Sequence, residues 1–266
     1  MTVRIGVFDS GMGGLTVLAA LRKALPGADY LYLGDPARLP YGTKSGATVT
    51  RYALQCAKVL VERRIDLLVV ACNTVSAVAL GPLQETFAPL PIIGVVEPGA
   101  EAGVKATRNG HIAVIATEGT VRGGAYVRAI HARNPDIRVT QAACPLFVAL
   151  AEEGWTEGEV AEAAARRYLE PLFEHAVPPD TLVLGCTHFP LLRTVIESVV
   201  GSGVNLVDSA RTTAQAVAAR IPPSAGSVAA PPAFLVTDSP ARFARLGGQF
   251  LGETISSEAV ELIDLA

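Results

Sequence analysis

Apolar and polar positions in this chain fall into two alternating rhythms. Short, largely apolar runs, such as residues 3–8, 67–70 and 181–184, give way abruptly to polar residues. A Leu/Val run of that length reads as a strand buried on both faces, as in a parallel sheet. Between these runs the period lengthens: residues 15–25, 47–63 and 75–87 place apolar side chains three and four positions apart, as a half-buried helix does. In 47–63 the stripe is Ala53, Cys56, Ala57 and Leu60, which makes Cys56 core filler. Further strands are predicted at 30–33, 91–96, 111–116, 137–141, 204–207, 233–237 and near 261. Helices are predicted from about 121, at 189–200, at 210–220 and at 241–251. A helix opened by a Thr156/Glu159 capping box should reach about His175, kinked at Pro171. Residues 222–232, rich in Pro, Ser, Gly and Ala, read as a flexible segment. Strand alternating with helix is the grammar of an α/β fold.

The rhythm restarts halfway. HIAVIA at 111–116 superposes on RIGVFD at 4–9, bringing Thr117 beneath Ser10. ACNT at 71–74 is echoed by GCTH at 185–188 after a drift of a few residues, which loop insertions in a duplicated unit explain. The reading is therefore two similar Rossmann-like α/β lobes with mostly parallel sheets. The first holds residues 1–98 and, discontinuously, 208–266; the second holds 99–207. Ligands of such sheets bind beyond the carboxyl ends of the strands, so the active site belongs in the cleft between the lobes.

Composition narrows the class. The 266 residues carry a net charge of -3, which offers no basic surface for nucleic acid. Mean hydropathy is positive, yet the apolar runs are strand-length and broken by Gly, Pro and charges, so no membrane span is expected. The start leads directly into a strand without a basic leader. Four scattered cysteines without CxxC spacing read as free thiols of a cytoplasmic protein. The C-x-H pair at Cys186 and His188 lacks a second ligand pair, so no metal site is expected.

Chemistry concentrates at the strand ends. Cys72 and Cys186 close equivalent apolar runs, and two lobes facing each other would oppose their thiols across one small ligand. Acid and base on opposite faces of one carbon invert its configuration. A thiol is mostly protonated at neutral pH, so each needs a partner for its proton; Asp9, Glu152 and His188 are the ionisable candidates. Asn73, Thr74, Thr117 and Thr187 offer neutral hydrogen bonds to an amino-acid substrate. Pro40, Tyr41 and Gly42 form a turn able to present backbone amides and a phenol. Cys144 reads as structural, and His111, His131 and His175 as surface or element-end residues. The DSGMGG turn at 9–14 lacks the Lys-Ser/Thr of a P-loop.

Taken together, DSGMGG at 9–14, PYG at 40–42, ACNT at 71–74, EPG at 97–99, ATEGT at 116–120, CPLF at 144–147, GCTHFPLL at 185–192 and VTDSP at 236–240 resemble the glutamate racemases, in that family's order and along nearly the whole chain. The resemblance implies interconversion of L- and D-glutamate with no cofactor, supplying D-glutamate for peptidoglycan. By position, Cys72 corresponds to the base acting on D-glutamate and Cys186 to the base acting on L-glutamate. Asp9 would assist the first thiol, Glu152 and His188 the second. Ser10, Tyr41, Gly42, Asn73, Thr74, Thr117, Thr120 and Thr187 would line the substrate pocket. Homodimers are implied as well. Gly123 stands where many members have serine, and Val75 where alanine is common. Without the amino-terminal extension of members activated by a UDP-linked wall precursor, the chain is expected to act unaided.

Overall fold

The computed structural model describes residues 2–221 and 230–265; most of the 222–232 segment expected to be flexible lies outside them. Eight elements open the chain: β1 (Arg4–Asp9), α1 (Leu15–Ala24), β2 (Asp29–Gly34), α2 (Gly46–Glu62), β3 (Leu67–Val70), α3 (Asn73–Val78), α4 (Leu80–Thr86) and β4 (Ile92–Gly94). There follow α5 (Val96–Ala106), β5 (His111–Ala116), α6 (Glu118–Gly123), α7 (Ala125–His131), β6 (Arg138–Ala143), α8 (Pro145–Glu153), α9 (Glu159–Phe173), β7 (Thr181–Gly185), α10 (Arg193–Val200) and β8 (Asn205–Asp208). The last are α11 (Ser209–Ala218), β9 (Ala233–Val236), α12 (Pro240–Leu251) and β10 (Val260–Leu262).

Two sheets result, with parallel pairing throughout. One runs β10-β9-β2-β1-β3-β4, the other β6-β5-β7-β8. The order β2-β1-β3-β4 recurs as β6-β5-β7-β8, which is the duplication legible in the sequence. In each sheet the central strand, β1 or β5, lies beside the strand that leads into a cysteine. Every residue of β3, β5 and β7 is buried, because helices cover both faces of each sheet and the side chains find apolar neighbours either way. Separate apolar clusters form on the two sides of each sheet.

Some expectations differ from the structure. The EPG at 97–99 does not end a strand. It lies in the first turn of α5, where Pro98 sacrifices no hydrogen bond because the first amides of a helix have no intrahelical acceptor. The 75–87 helix is two helices broken at Ala79, and the helix near 121 is likewise two, joined through Gly124 in the left-handed region. The Thr156/Glu159 capping box does not form: α9 begins at Glu159 itself, behind Gly158 at φ 85° with no side-chain cap. The 189–200 helix opens with a 3-10 turn at Phe189–Leu192. His111, expected at a surface or element end, begins β5 but is buried, with Nδ1 2.8 Å from the Val177 carbonyl.

Candidate active site

Both cysteines occupy the positions that the parallel sheets leave open. β3 ends at Val70, the Ala71 amide makes the last bond to the Phe8 carbonyl (2.8 Å), and Cys72 precedes α3 in extended conformation. β7 ends at Gly185, and Cys186, Thr187 and His188 follow it before the 3-10 turn. A cavity of about 350 Å³ lies between the two edges and is lined by Cys72 from one sheet and Cys186 from the other. Around it stand Ser10, Pro40, Tyr41, Gly42, Asn73, Thr74, Thr117, Glu152, Thr187 and His188, all singled out by sequence reasoning.

Glycines allow the edges to meet. A Cβ on Gly13 would stand 2.5 Å from the His188 ring and 2.5 Å from Thr187 Oγ1. The turn after β1 therefore presses directly on the second sheet's edge, and the Thr16 hydroxyl lies 2.9 Å from the Gly13 carbonyl and 3.1 Å from that of Thr187. On the other wall, a Cβ on Gly42 would lie 2.9 Å from Cβ of Thr117.

The surroundings of the two thiols differ. Cys72 donates to the Ser10 hydroxyl at 3.4 Å. Burial drives its pKa up, the nearby Asp9 and Cys186 charges add to that, and hydrogen bonds from Ser10 and the Val75 amide oppose it; the outcome is about 12. Asp9 does not line the cavity. It is buried behind Ser10, its Oδ2 accepts from the Gly11 amide at 2.9 Å, and its Oδ1 has no hydrogen-bond partner among the described residues. Burial raises the Asp9 pKa against the pull of the His188 charge and three backbone amides.

Cys186 faces an ionisable chain. His188 has Nδ1 3.8 Å from Cys186 Sγ and Nε2 3.2 Å from Glu152 Oε1. Arg242, from α12, donates to Glu152 Oε2 at 3.2 Å. Burial disfavours a charged His188, yet the Cys186 sulfur, the Glu152 carboxylate and the Asp9 charge outweigh it and lift the pKa to about 10. Burial likewise disfavours the Glu152 carboxylate, and His188 with Arg242 reverse that and hold its pKa below the usual value.

The neutral donors are oriented by their own partners. Tyr126 donates to Asn73 Oδ1 at 2.8 Å, leaving the buried Asn73 Nδ2 without a partner among the described residues. Thr74, Thr117 and Thr120 form a triangle of hydroxyls at 2.9, 3.1 and 3.4 Å. Thr120 stands behind the other two instead of lining the cavity. Tyr41 departs from expectation: it lines the cavity, but its phenol donates to the buried Asp35 carboxylate rather than facing the cleft. Sequence reasoning missed Arg242, and also Leu39, Thr43, Glu118, Pro145, Val148 and Ala149 of the cavity wall. The wall residues adjoin recognised motifs, and that adjacency was the available signal. For Arg242 there was none, since its partner lies in a different part of the chain.

The profile of the Asp/Glu/Hydantoin racemase family matches residues 12–217. The chain is 54% identical to the glutamate racemase of Geobacter metallireducens over 254 residues, covering 93% of this chain and 92% of that protein. Among solved structures, Francisella tularensis glutamate racemase in complex with D-glutamate superposes with a TM-score of 0.89 at 34% identity, covering 99% of this chain and 98% of that one. The Thermus thermophilus enzyme in complex with beta-chloro-D-alanine gives 0.87 at 42% identity, with the same coverage.

Proposed function

The chain belongs to the Asp/Glu/Hydantoin racemase family, and from that premise we propose that it interconverts L- and D-glutamate by a two-base reaction between Cys72 and Cys186. The observation that carries this reading is the shared cavity, with one thiol supplied by each sheet edge. D-glutamate for peptidoglycan precursors is the product such an enzyme supplies.

Chemistry follows from the arrangement. Cys72, as thiolate, takes the α-proton of D-glutamate; the C–H bond breaks and its electron pair stays on the α-carbon. The Cys186 thiol delivers its proton to the opposite face, a new C–H bond forms, and Cys186 is left as thiolate. The L-to-D direction is the reverse, so each turnover exchanges the protonation states of the two sulfurs. A thiol held near pKa 12 needs help to ionise, and the α-ammonium of an entering substrate supplies a positive charge beside it. Asp9 relays protons at Cys72, and His188, held by Glu152, does so at Cys186. Asn73 Nδ2, the hydroxyls of Ser10, Thr74, Thr117 and Thr187, and the backbone of residues 40–42 hold the substrate carboxylates and stabilise the charge that develops as the α-carbon becomes carbanionic. Thr120 positions Thr74 and Thr117.

The sheet memberships support a division into lobes of residues 1–98 with 208–266 and of 99–207, joined through α5. No helix among the described residues is long and apolar enough to cross a membrane. A cytoplasmic homodimer completes the proposal.

Circular dichroism of each glutamate and aspartate enantiomer with purified protein in deuterated water tests it. Both glutamates are expected to lose optical activity, with deuterium at the α-carbon of the product and little change in the aspartates. A racemic product that keeps its original hydrogen, or turnover of aspartate alone, would overturn the reading.

A further inference from the structure

VTDSP at 236–240 has no part in the chemistry above, and neither does Asp35, which is fully buried. The structure joins them. Asp35 follows β2 directly and opens the loop that ends in Pro40, Tyr41, Gly42 and Thr43, four residues of the cavity wall. Its Oδ2 accepts from Arg38 Nε at 2.6 Å, from the Tyr41 phenol and, at 3.9 Å, from the Cys56 thiol. Its Oδ1 accepts from the Thr237 hydroxyl at 2.7 Å, and the same hydroxyl accepts from the Ala37 amide at 3.1 Å. Arg38 is fixed in turn by Gln55 Oε1 at 2.6 Å and by the Tyr52 ring at 4.2 Å.

A buried carboxylate is costly unless its oxygens are paired, and here every donor comes from the loop itself or from an element flanking it. Two of them, Arg38 and Tyr41, belong to the loop. Thr237, at the end of β9, pins the loop's first turn. Cys56, from α2, closes the underside. The opposite face of this loop meets the other lobe, where a Cβ on Gly119 would stand 2.7 Å from the Gly42 carbonyl. The loop's two 3-10 turns, Pro36–Arg38 and Tyr41–Thr43, keep their backbone–backbone bonds local, and the carboxylate ties one to the other.

We infer that Asp35 is a positioning residue for substrate binding: through Tyr41, Arg38 and Thr237 it fixes the 40–43 wall against which either enantiomer of glutamate is held. The inference rests on the racemase reading and adds to it a residue that touches neither the substrate nor either cavity thiol, Cys72 or Cys186. It explains why Tyr41 spends its phenol on Asp35, and why a segment some two hundred residues away returns to this loop. The wall serves ground state and transition state alike, so its disturbance belongs in KM rather than in kcat.

The test is steady-state racemisation by Asp35→Asn, Tyr41→Phe and the double variant, with thermal midpoints recorded beside KM and kcat. An Asn amide at Oδ2 would confront the Arg38 and Cys56 donors with another donor. KM for both enantiomers is expected to rise about tenfold in Asp35→Asn, with kcat within about threefold of wild type, and less steeply in Tyr41→Phe. Because the two act through one contact, the double variant should be no worse than Asp35→Asn alone. A folded Asp35→Asn with unchanged KM, or effects that multiply in the double variant, overturns the inference. If Asp35→Asn does not fold, Thr237→Val decides instead: an approximately threefold rise in KM supports the clamp and an unchanged KM refutes it. A wild-type protein that racemises neither enantiomer defeats the functional reading itself and this inference with it, whereas an active wild type beside unaltered variants defeats only the role of Asp35.

Discussion

The ends of β3 and β7 are equivalent in topology and unlike in chemistry. Each offers a cysteine to the same cavity, beyond a fully buried strand and beside the central strand of its sheet. Two residues after Cys72 stands Thr74, and two after Cys186 stands His188. Conversely, β1 ends in Asp9, whereas the corresponding end of β5 is Ala116. One thiol therefore has a carboxylate at the end of the neighbouring strand, the other an imidazole two residues further along its own segment. Duplication supplied the symmetry that mirror-image substrates call for, and the helpers broke it. Thermodynamics still binds the two halves: L- and D-glutamate have equal free energy in water, so kcat/KM must be the same in both directions in every variant, however unequal the bases.

The largest expected effect comes from removing a thiol. Cys72→Ala or Cys186→Ala should each lower racemisation by at least about 10³-fold in a dichroism assay, since the other sulfur reaches only one face of the α-carbon. Full activity in either variant would show that the two edges are not a working pair. Next come the helpers. Asp9→Asn and His188→Asn are each expected to slow turnover by about 10- to 100-fold, and the difference between the sites should appear in isotope effects. Weakening Cys186 makes its step limiting, so His188→Asn should enlarge the α-deuterium effect on kcat/KM for L-glutamate and shrink it for D-glutamate, and Asp9→Asn should do the opposite. Identical patterns in the two variants would collapse the comparison.

A third test sharpens the contrast through stability. The folded His188 has a pKa near 10 against 6.5 for an ordinary histidine. Folding therefore binds its proton more tightly; the stabilisation is complete below about pH 6.5 and is lost as pH rises towards 10. The thermal midpoint should fall across that interval, and His188→Asn should flatten the fall. A slope unchanged in the variant would assign the linkage elsewhere. The smallest effect belongs to Arg242, which is partly exposed. Arg242→Gln should cost about threefold or less in kcat/KM. It should also move the acid limb of the pH profile upward, because Glu152 loses one of the partners holding its pKa down.

Both lobes and both thiols were legible in the sequence because their signal is local: an apolar run and the polar residue that ends it. Tyr41 shows where locality fails. Its place in the cavity wall followed from PYG, but the direction of its hydroxyl depends on Asp35, which the loop's two turns bring alongside it. The capping box misled for a related reason, since the Thr156/Glu159 spacing was present while the glycine at 158 took the chain in at a positive φ. Arg242 reaches Glu152 across the lobes, and no period or motif encodes that.

The route of the chain also sets an order of assembly during synthesis. The strands of the second sheet come from one uninterrupted stretch, residues 111–208, whereas the first sheet lacks β9 and β10 until residues 233–262 have been made. On a ribosome the lobe begun second is thus the one able to finish first. Thr237, which pins the substrate loop through Asp35, arrives among the last residues. A nascent chain would carry both thiols well before the pin on its substrate loop was made, and so would bind substrate less tightly until its C-terminal strands were in place.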